Sequence, residues 1–209
     1  VIEVDFLKPE TLQNIPNDIS GAYYLMHSMS NTEDYEDVEK ECAQNFVSEI
    51  EKTQCEHIIY LSGLVNQNEL SKHLNSRFQV EKILMKSQVP VTVLRAGIII
   101  GSGSASFEII RDLVEKLPVM VTPKWLDTKC QPIGIANVLD FLIFTLFHKD
   151  AYHKSFDIGC DDVLTYKEIL LGYAKVRGLK RSIYTLPVMT PKLSSYWLYF
   201  ITSTSYNLA

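Results

Sequence analysis

No apolar run in this chain is long enough to cross a membrane. The longest candidate, "VLDFLIFTLF" at 138 to 147, falls short of the ~18 residues a span needs and carries Asp140, so it reads as a buried helix. No signal-peptide pattern is visible. Basic clusters are missing as well, and the net charge is -5. That argues against nucleic acid or an anionic membrane surface as the main partner. There is no Cys-x-x-Cys pair: Cys42, Cys55, Cys130 and Cys160 are scattered. Of the dispersed histidines, His148 and His153 stand five apart with no further ligand nearby, so no metal site is expected. Scattered thiols fit a reduced, cytoplasmic setting. What remains is a chain that is 46% hydrophobic and 22% charged, enough for a sizeable soluble core. The acidic stretch "NTEDYEDVEKE" at 31 to 41 reads as a solvated helix start.

Strand-like and helix-like runs alternate. Strands are expected at 1 to 6, 20 to 28, 57 to 64, 89 to 100, 118 to 123 and 155 to 159. Helices are expected at 32 to 53, 71 to 87, 106 to 117, 135 to 148 and 165 to 178, the last closed by Gly178. A further strand and an aromatic helix are expected after residue 180. Crossover-length helices between strands predict an α/β fold, a Rossmann-like parallel sheet with helices on both faces. The run 91 to 100 is apolar almost throughout and belongs at the sheet centre. The expected organisation is a larger α/β domain over 1 to 150 and a smaller α/β segment over 151 to 209. The chain opens on a strand pattern without Met, which suggests a fragment whose N-terminus lies upstream of Val1.

Gly101-Ser102-Gly103 after the run 91 to 100 has the look of a phosphate-binding turn. A dinucleotide fingerprint needs a third glycine, where this chain has Ser106, and an acid closing the next strand, where it has Thr122 and Pro123. The loop therefore reads as a tight turn with Ser104 or Ser106 capping the following helix, or as the lining of a pocket at a strand's carboxyl end.

Several segments in order resemble one family. "VPVTVLRAGIIIGSGSASFE" resembles the strand and loop of the extended and atypical short-chain dehydrogenase/reductases, and "HIIYLSGL" their strand ending in serines. "CQPIGIANVLDFLIFTL" and "FDIGCDDVLTYKEILLGYAKVRG" resemble their later helix and strand segments. The wording is nearest the NmrA-like and nucleoside-diphosphate-sugar epimerase-like branch. The resemblance implies a truncated NAD(P)-binding Rossmann-like domain over 1 to 150, a substrate-side segment over 151 to 209 that continues beyond Ala209, and NAD(P)H as cofactor, with the glycine-rich phosphate loop upstream of Val1 and absent from this chain.

It also implies roles for particular residues. Asp5 and Phe6 would lie beside the adenine, and Leu25, Met26, His27 and Ser28 along the ribose and pyrophosphate. Ser62 would bond a substrate carbonyl, and Arg95, Ala96, Gly97 and Ile98 would contact nicotinamide. Where the family carries Tyr-x-x-x-Lys, this chain reads "HLNSR": His73 at the tyrosine position, Arg77 at the lysine position. Arg77 keeps its charge and could donate to a ribose, and His73 could move a proton near neutral pH. No tyrosine occurs between Tyr60 and Tyr152.

Ordinary readings stand beside these. Asp5 and Ser62 are also simple polar strand ends, His27 a structural histidine, and His73 and Arg77 helix surface. Arg95 could equally be a structural ion pair, with Asp140 the suggested partner. Three functions stay open: an oxidoreductase acting on a carbonyl, a non-catalytic sensor or assembly subunit, and a sugar-nucleotide epimerase. The implied partners are a dinucleotide, a small molecule, and a protein partner or second copy, for which 194 to 200, "SSYWLYF", is the candidate face with Trp197 within it.

Overall fold

The computed structural model describes residues 1–26, 35–64 and 72–186, with Tyr35, Lys72, His73 and Leu186 as backbone only. In chain order the elements are α1 Pro9–Leu12, β1 Gly21–Tyr24, α2 Tyr35–Ile50, β2 His57–Gly63, α3 Lys72–Leu84, β3 Val91–Ala96, β4 Ile99–Ile100 and α4 Ala105–Lys116. There follow β5 Val119–Pro123, β6 Lys129–Cys130, β7 Ile133–Gly134, α5 Ile135–Thr145, β8 Lys154–Ile158, β9 Leu164–Thr165, α6 Tyr166–Val176 and β10 Ser182–Leu186. No described helix is long and apolar enough to cross a membrane. The segment 194 to 200 lies outside the described residues.

Two compact units emerge, and they are interleaved. One comprises Val1–Ala96 and Val138–Ile158, the other Gly97–Asn137 and Gly159–Ala209. A single boundary at 150 does not follow them: the chain leaves the first unit after β3, returns within α5, and leaves again after β8.

The first unit is the expected α/β sandwich. Its sheet runs β1-β2-β3-β8, all parallel. Alternation along the strands sends successive side chains to opposite faces. Tyr24, Ile58, Tyr60, Val91 and Val93 join Ala43, Phe46 and Ile50 of α2 and Val80 and Leu84 of α3 in one core. On the opposite face the Tyr23 hydroxyl donates to the Leu142 carbonyl of α5 at 3.1 Å. Helices therefore cover both faces. The buried strands are near-continuous apolar runs, as a two-face-covered parallel sheet requires.

Three expectations change here. Residues 1 to 6 form no strand. Their backbone is met by side chains instead of a ladder: Asp5 N–H donates to Thr11 Oγ1 at 2.9 Å, and Asn45 donates to the Phe6 carbonyl at 2.7 Å. The Phe6 ring packs edge-on to Phe46, 5.6 Å between centroids, so its apolar side chain is satisfied by α2. The run 89 to 100 is two strands, β3 and β4, in different units. Finally, α5 is not wholly buried: Val138 and Leu142 are, but Leu139, Phe141, Ile143 and Phe144 are exposed.

The second unit packs α4 on α6 through Ile110, Leu113, Val114, Ile169, Leu170 and Ala174. Around them lie three strand pairs: β5–β10 and β4–β7 parallel, β6–β9 antiparallel. The glycine turn before α4 is tight, as expected. Gly103 sits at φ 86°, and a Cβ on Gly101 would lie 2.6 Å from Ile135. The N-cap side chain of Ser104 makes no cap bond, and Gly103 N–H donates to Glu108 instead, at 3.1 Å. At α6, Thr165 and Glu168 form a capping box, and Gly178 follows at φ 67°.

Candidate functional site

Parallel strands align their carboxyl ends on one edge of the sheet, where open α/β sheets place ligands. In the first unit that edge is formed by Tyr24, Gly63, Ala96 and Ile158. Ser62 and Arg95 are cross-strand partners there, one residue before the ends of β2 and β3. Both project to the α2/α3 face, given the alternation with buried Tyr60 and Val93.

Ser62 is 3% exposed, and its hydroxyl lies beside the Tyr60 phenol without making a well-formed hydrogen bond to any described residue. A buried hydroxyl left unpaired costs on the order of 1–3 kcal/mol. Next to it, Gly63 permits a close approach by α3. A Cβ there would fall 3.1 Å from Leu74 Cδ2 and 3.2 Å from Arg77 Nη1, so the Arg77 guanidinium lies directly over this backbone. Arg77 is half-buried and forms no ion pair with a described residue. Two sequence candidates thus lie at the end of β2: Arg77 over Gly63, and Ser62 one residue before it.

Tyr60 holds this corner in place. Its hydroxyl donates to the Arg77 carbonyl at 3.4 Å, tying α3 to β2. Burial pushes the phenol up to about 12, so it stays neutral. Glu81, one turn beyond Arg77 on α3 and 5% exposed, takes Arg95 in a two-pronged pair: Nε to Oε2 at 3.0 Å and Nη2 to Oε1 at 2.5 Å. The Ser155 hydroxyl donates to Glu81 at 3.0 Å, and Asp157 lies 3.6 Å from Arg95 Nη1. The ion pair suggested with Asp140 is made with Glu81 instead. Neither Tyr60 nor Glu81 stood out in the sequence. Only the pairing of α3 with β2 and β3 reveals them, because their partners are 17 and 14 residues away.

The other candidates are dispersed. Asp5 accepts from Leu7 N–H at 3.0 Å and pairs with Lys8 at 3.2 Å, and these bonds hold its carboxyl below the usual range. Leu25 and Met26 continue from β1 and are exposed. His27 and Ser28 lie outside the described residues, and His73 is placed by backbone alone, in the first turn of α3. The Ala96 carbonyl accepts from Leu64 N–H at 3.0 Å. Gly97 and Ile98 belong to the second unit, where the Ile98 carbonyl accepts from Ile133 N–H at 2.9 Å. No cluster of metal-binding side chains occurs among the described residues.

No protein-family model matches the chain, and no curated protein matches it in sequence. Solved structures do match its fold. RMD from Pseudomonas aeruginosa, complexed with NADPH, superposes with a TM-score of 0.71 at 13% identity, over 98% of this chain and 84% of that one. A nucleoside-diphosphate-sugar epimerase from Staphylococcus aureus gives 0.74 at 13% identity, over 99% and 70%. The triphenylmethane reductase of Citrobacter sp. gives 0.72 at 16% identity, over 93% and 64%. The chain therefore shares the fold of these proteins, a Rossmann-like parallel sheet flanked by helices.

Proposed function

We propose that this chain belongs to a nicotinamide-dinucleotide-binding protein of the atypical short-chain dehydrogenase/reductase type, and that the end of β2 is where the dinucleotide's reactive end is held. The observation that carries this is a buried Ser62 hydroxyl without a well-formed hydrogen bond, next to Gly63, over which lies a half-buried Arg77 that no described carboxylate pairs. The fold is shared with RMD complexed with NADPH. These residues fit a ribose and a carbonyl oxygen. Arg77 would donate its fork of N–H groups to ribose hydroxyls, and Ser62 O–H to a substrate carbonyl. The bound dinucleotide would supply hydride. Tyr60 and Glu81 are positioning residues: one fixes the Arg77 backbone, the other keeps Arg95 from competing for the site. His73 is the proposed proton carrier, replacing the family's tyrosine. The absence of tyrosine between Tyr60 and Tyr152 favours binding over turnover, so a dinucleotide-dependent sensor is the second reading.

The test is a titration of the full-length protein with NADPH, read by nucleotide fluorescence. Saturable binding is expected, weakened about tenfold by Arg77→Ala, the worth of one or two charge-assisted bonds. With a panel of carbonyl compounds, Ser62→Ala should keep NADPH binding and lose any carbonyl-dependent oxidation. Binding that is indifferent to Arg77→Ala would refute the placement, and no binding at all would refute the dinucleotide reading.

A further inference from the structure

The second unit holds a cavity of about 400 Å³. That is within the ~300–1,000 Å³ usual for small-molecule sites. Its floor is aliphatic: Ile98, Leu113 and Leu170 are among its lining residues. One wall is aromatic. The rings of Trp125 and Tyr166 meet edge to face, 5.7 Å between centroids and 84° between planes. Both side chains are half-buried, which leaves ring surface for a further ring to pack against. Ser106 and Thr128, at exposed positions on α4 and after the 3-10 turn Lys124–Asp127, add hydroxyls at its edge.

No Asp, Glu, Lys or Arg lines it. Several carboxylates on the enclosing helices are already engaged. Glu108 pairs with Arg111 at 2.5 Å, Asp112 with Lys116 at 3.0 Å, and Glu168 is held by Thr165 in the capping box. Among the described residues, no lysine or arginine is part of the lining that would meet a phosphate, although one structure of this fold is a nucleoside-diphosphate-sugar epimerase. A doubly charged diphosphate would forfeit its hydration here with nothing in return.

We propose that this cavity binds a small, uncharged molecule that carries an aromatic ring and a hydroxyl or carbonyl oxygen. The ring packs on Trp125 and Tyr166, and the oxygen reaches the hydroxyls of Ser106 or Thr128. This goes beyond the dinucleotide reading and does not depend on it, because every lining residue belongs to the second unit.

The experiment uses the Trp197→Phe protein, in which Trp125 is the remaining tryptophan, titrated with 2-acetylnaphthalene and separately with UDP-glucose. Saturable change in Trp125 emission is expected with the naphthyl ketone and none with the sugar nucleotide. Ser106→Phe and Thr128→Phe, each adding bulk from an exposed position, should weaken ketone binding about tenfold, as expected for excluding part of a ring. Circular dichroism should show both folded, and their NADPH affinity should equal the parent's. The proposal falls if the ketone gives no saturable change, if both folded variants bind it as well as the parent, or if UDP-glucose binds in its place. Ketone binding without NADPH binding would leave this proposal standing and remove the dinucleotide reading.

Discussion

His57 shows how one buried side chain can make a whole sheet sensitive to pH. It is fully buried at the start of β2. Its Nε2 lies 2.8 Å from Thr92 Oγ1, and that hydroxyl donates to the Ala151 carbonyl at 2.7 Å, so Nε2 carries the hydrogen. Its Nδ1 accepts from Phe147 N–H at 2.9 Å. Phe147 holds the left-handed backbone at φ 60°, rare for an aromatic residue, and this arrangement aims its N–H at the ring. Protonating Nδ1 would set two donors against each other. Burial, helped by nearby His153, lowers the ring's pKa to about 4 from 6.5. The unfolded chain therefore takes up a proton first. The stability His57 provides is complete above pH 6.5 and is lost as pH falls towards 4, by at most about 3 kcal/mol. Urea unfolding at pH 7.0 and 5.0 should show this loss. His57→Leu should cost about 1–3 kcal/mol at pH 7 by orphaning Phe147 N–H, and should flatten the dependence between pH 6.5 and 5. An unchanged slope would show that other groups set it. Local sequence held no sign of this network, since its members come from residues 57, 92, 147 and 151. Ser62 and Arg77 could be named from the sequence because they stand at motif positions of the family it resembles.

Among the elements, α3 is joined to the sheet by one buried carboxylate. Glu81 reaches Arg95 on β3 and Ser155 on β8, spanning two strands from one helix. Removing one member of such a pair strands the other. Glu81→Ala should destabilise by about 3 kcal/mol, while the double change Glu81→Leu with Arg95→Met should recover most of it. Chemical denaturation of the two variants checks this, and equal losses would mean that the pair is not the determinant. Helix and strand positions were largely readable: α2, α3, α4 and α6 fall within a few residues of the periodicity, because each buries one apolar stripe. The misreadings have physical causes. Apolarity at 89 to 100 says buried, not continuous, and the chain changes unit at Gly97. Apolarity in α5 suggested burial, yet Phe144 is 73% exposed, since hydropathy alone does not say which face meets a neighbour. The strand pattern at 1 to 6 lacked what a strand needs besides side chains, a neighbouring edge to bond.

At the scale of the whole molecule, the parallel sheet and its helices were legible from the alternation of elements, whereas the interleaving was not. Sequence marks local transitions and carries no sign of which unit a segment rejoins. A protein ending at Ile158 should keep β1, β2, β3 and β8 together but leave β5 without β10, β6 without β9 and α4 without α6. Hydrogen exchange on that truncation should find the β2 and β3 amides still protected and those of α4 and β5 open. Loss of protection throughout would show that the first unit does not stand alone. The same threading has a consequence during synthesis. As the chain emerges from the ribosome, β3 must wait with one flank unpaired until Lys154–Ile158 arrives, while Gly97–Asn137 emerges still short of its own later half. Nascent molecules would thus pass through an interval when two half-built cores coexist, and that interval is when holdase chaperones would find them.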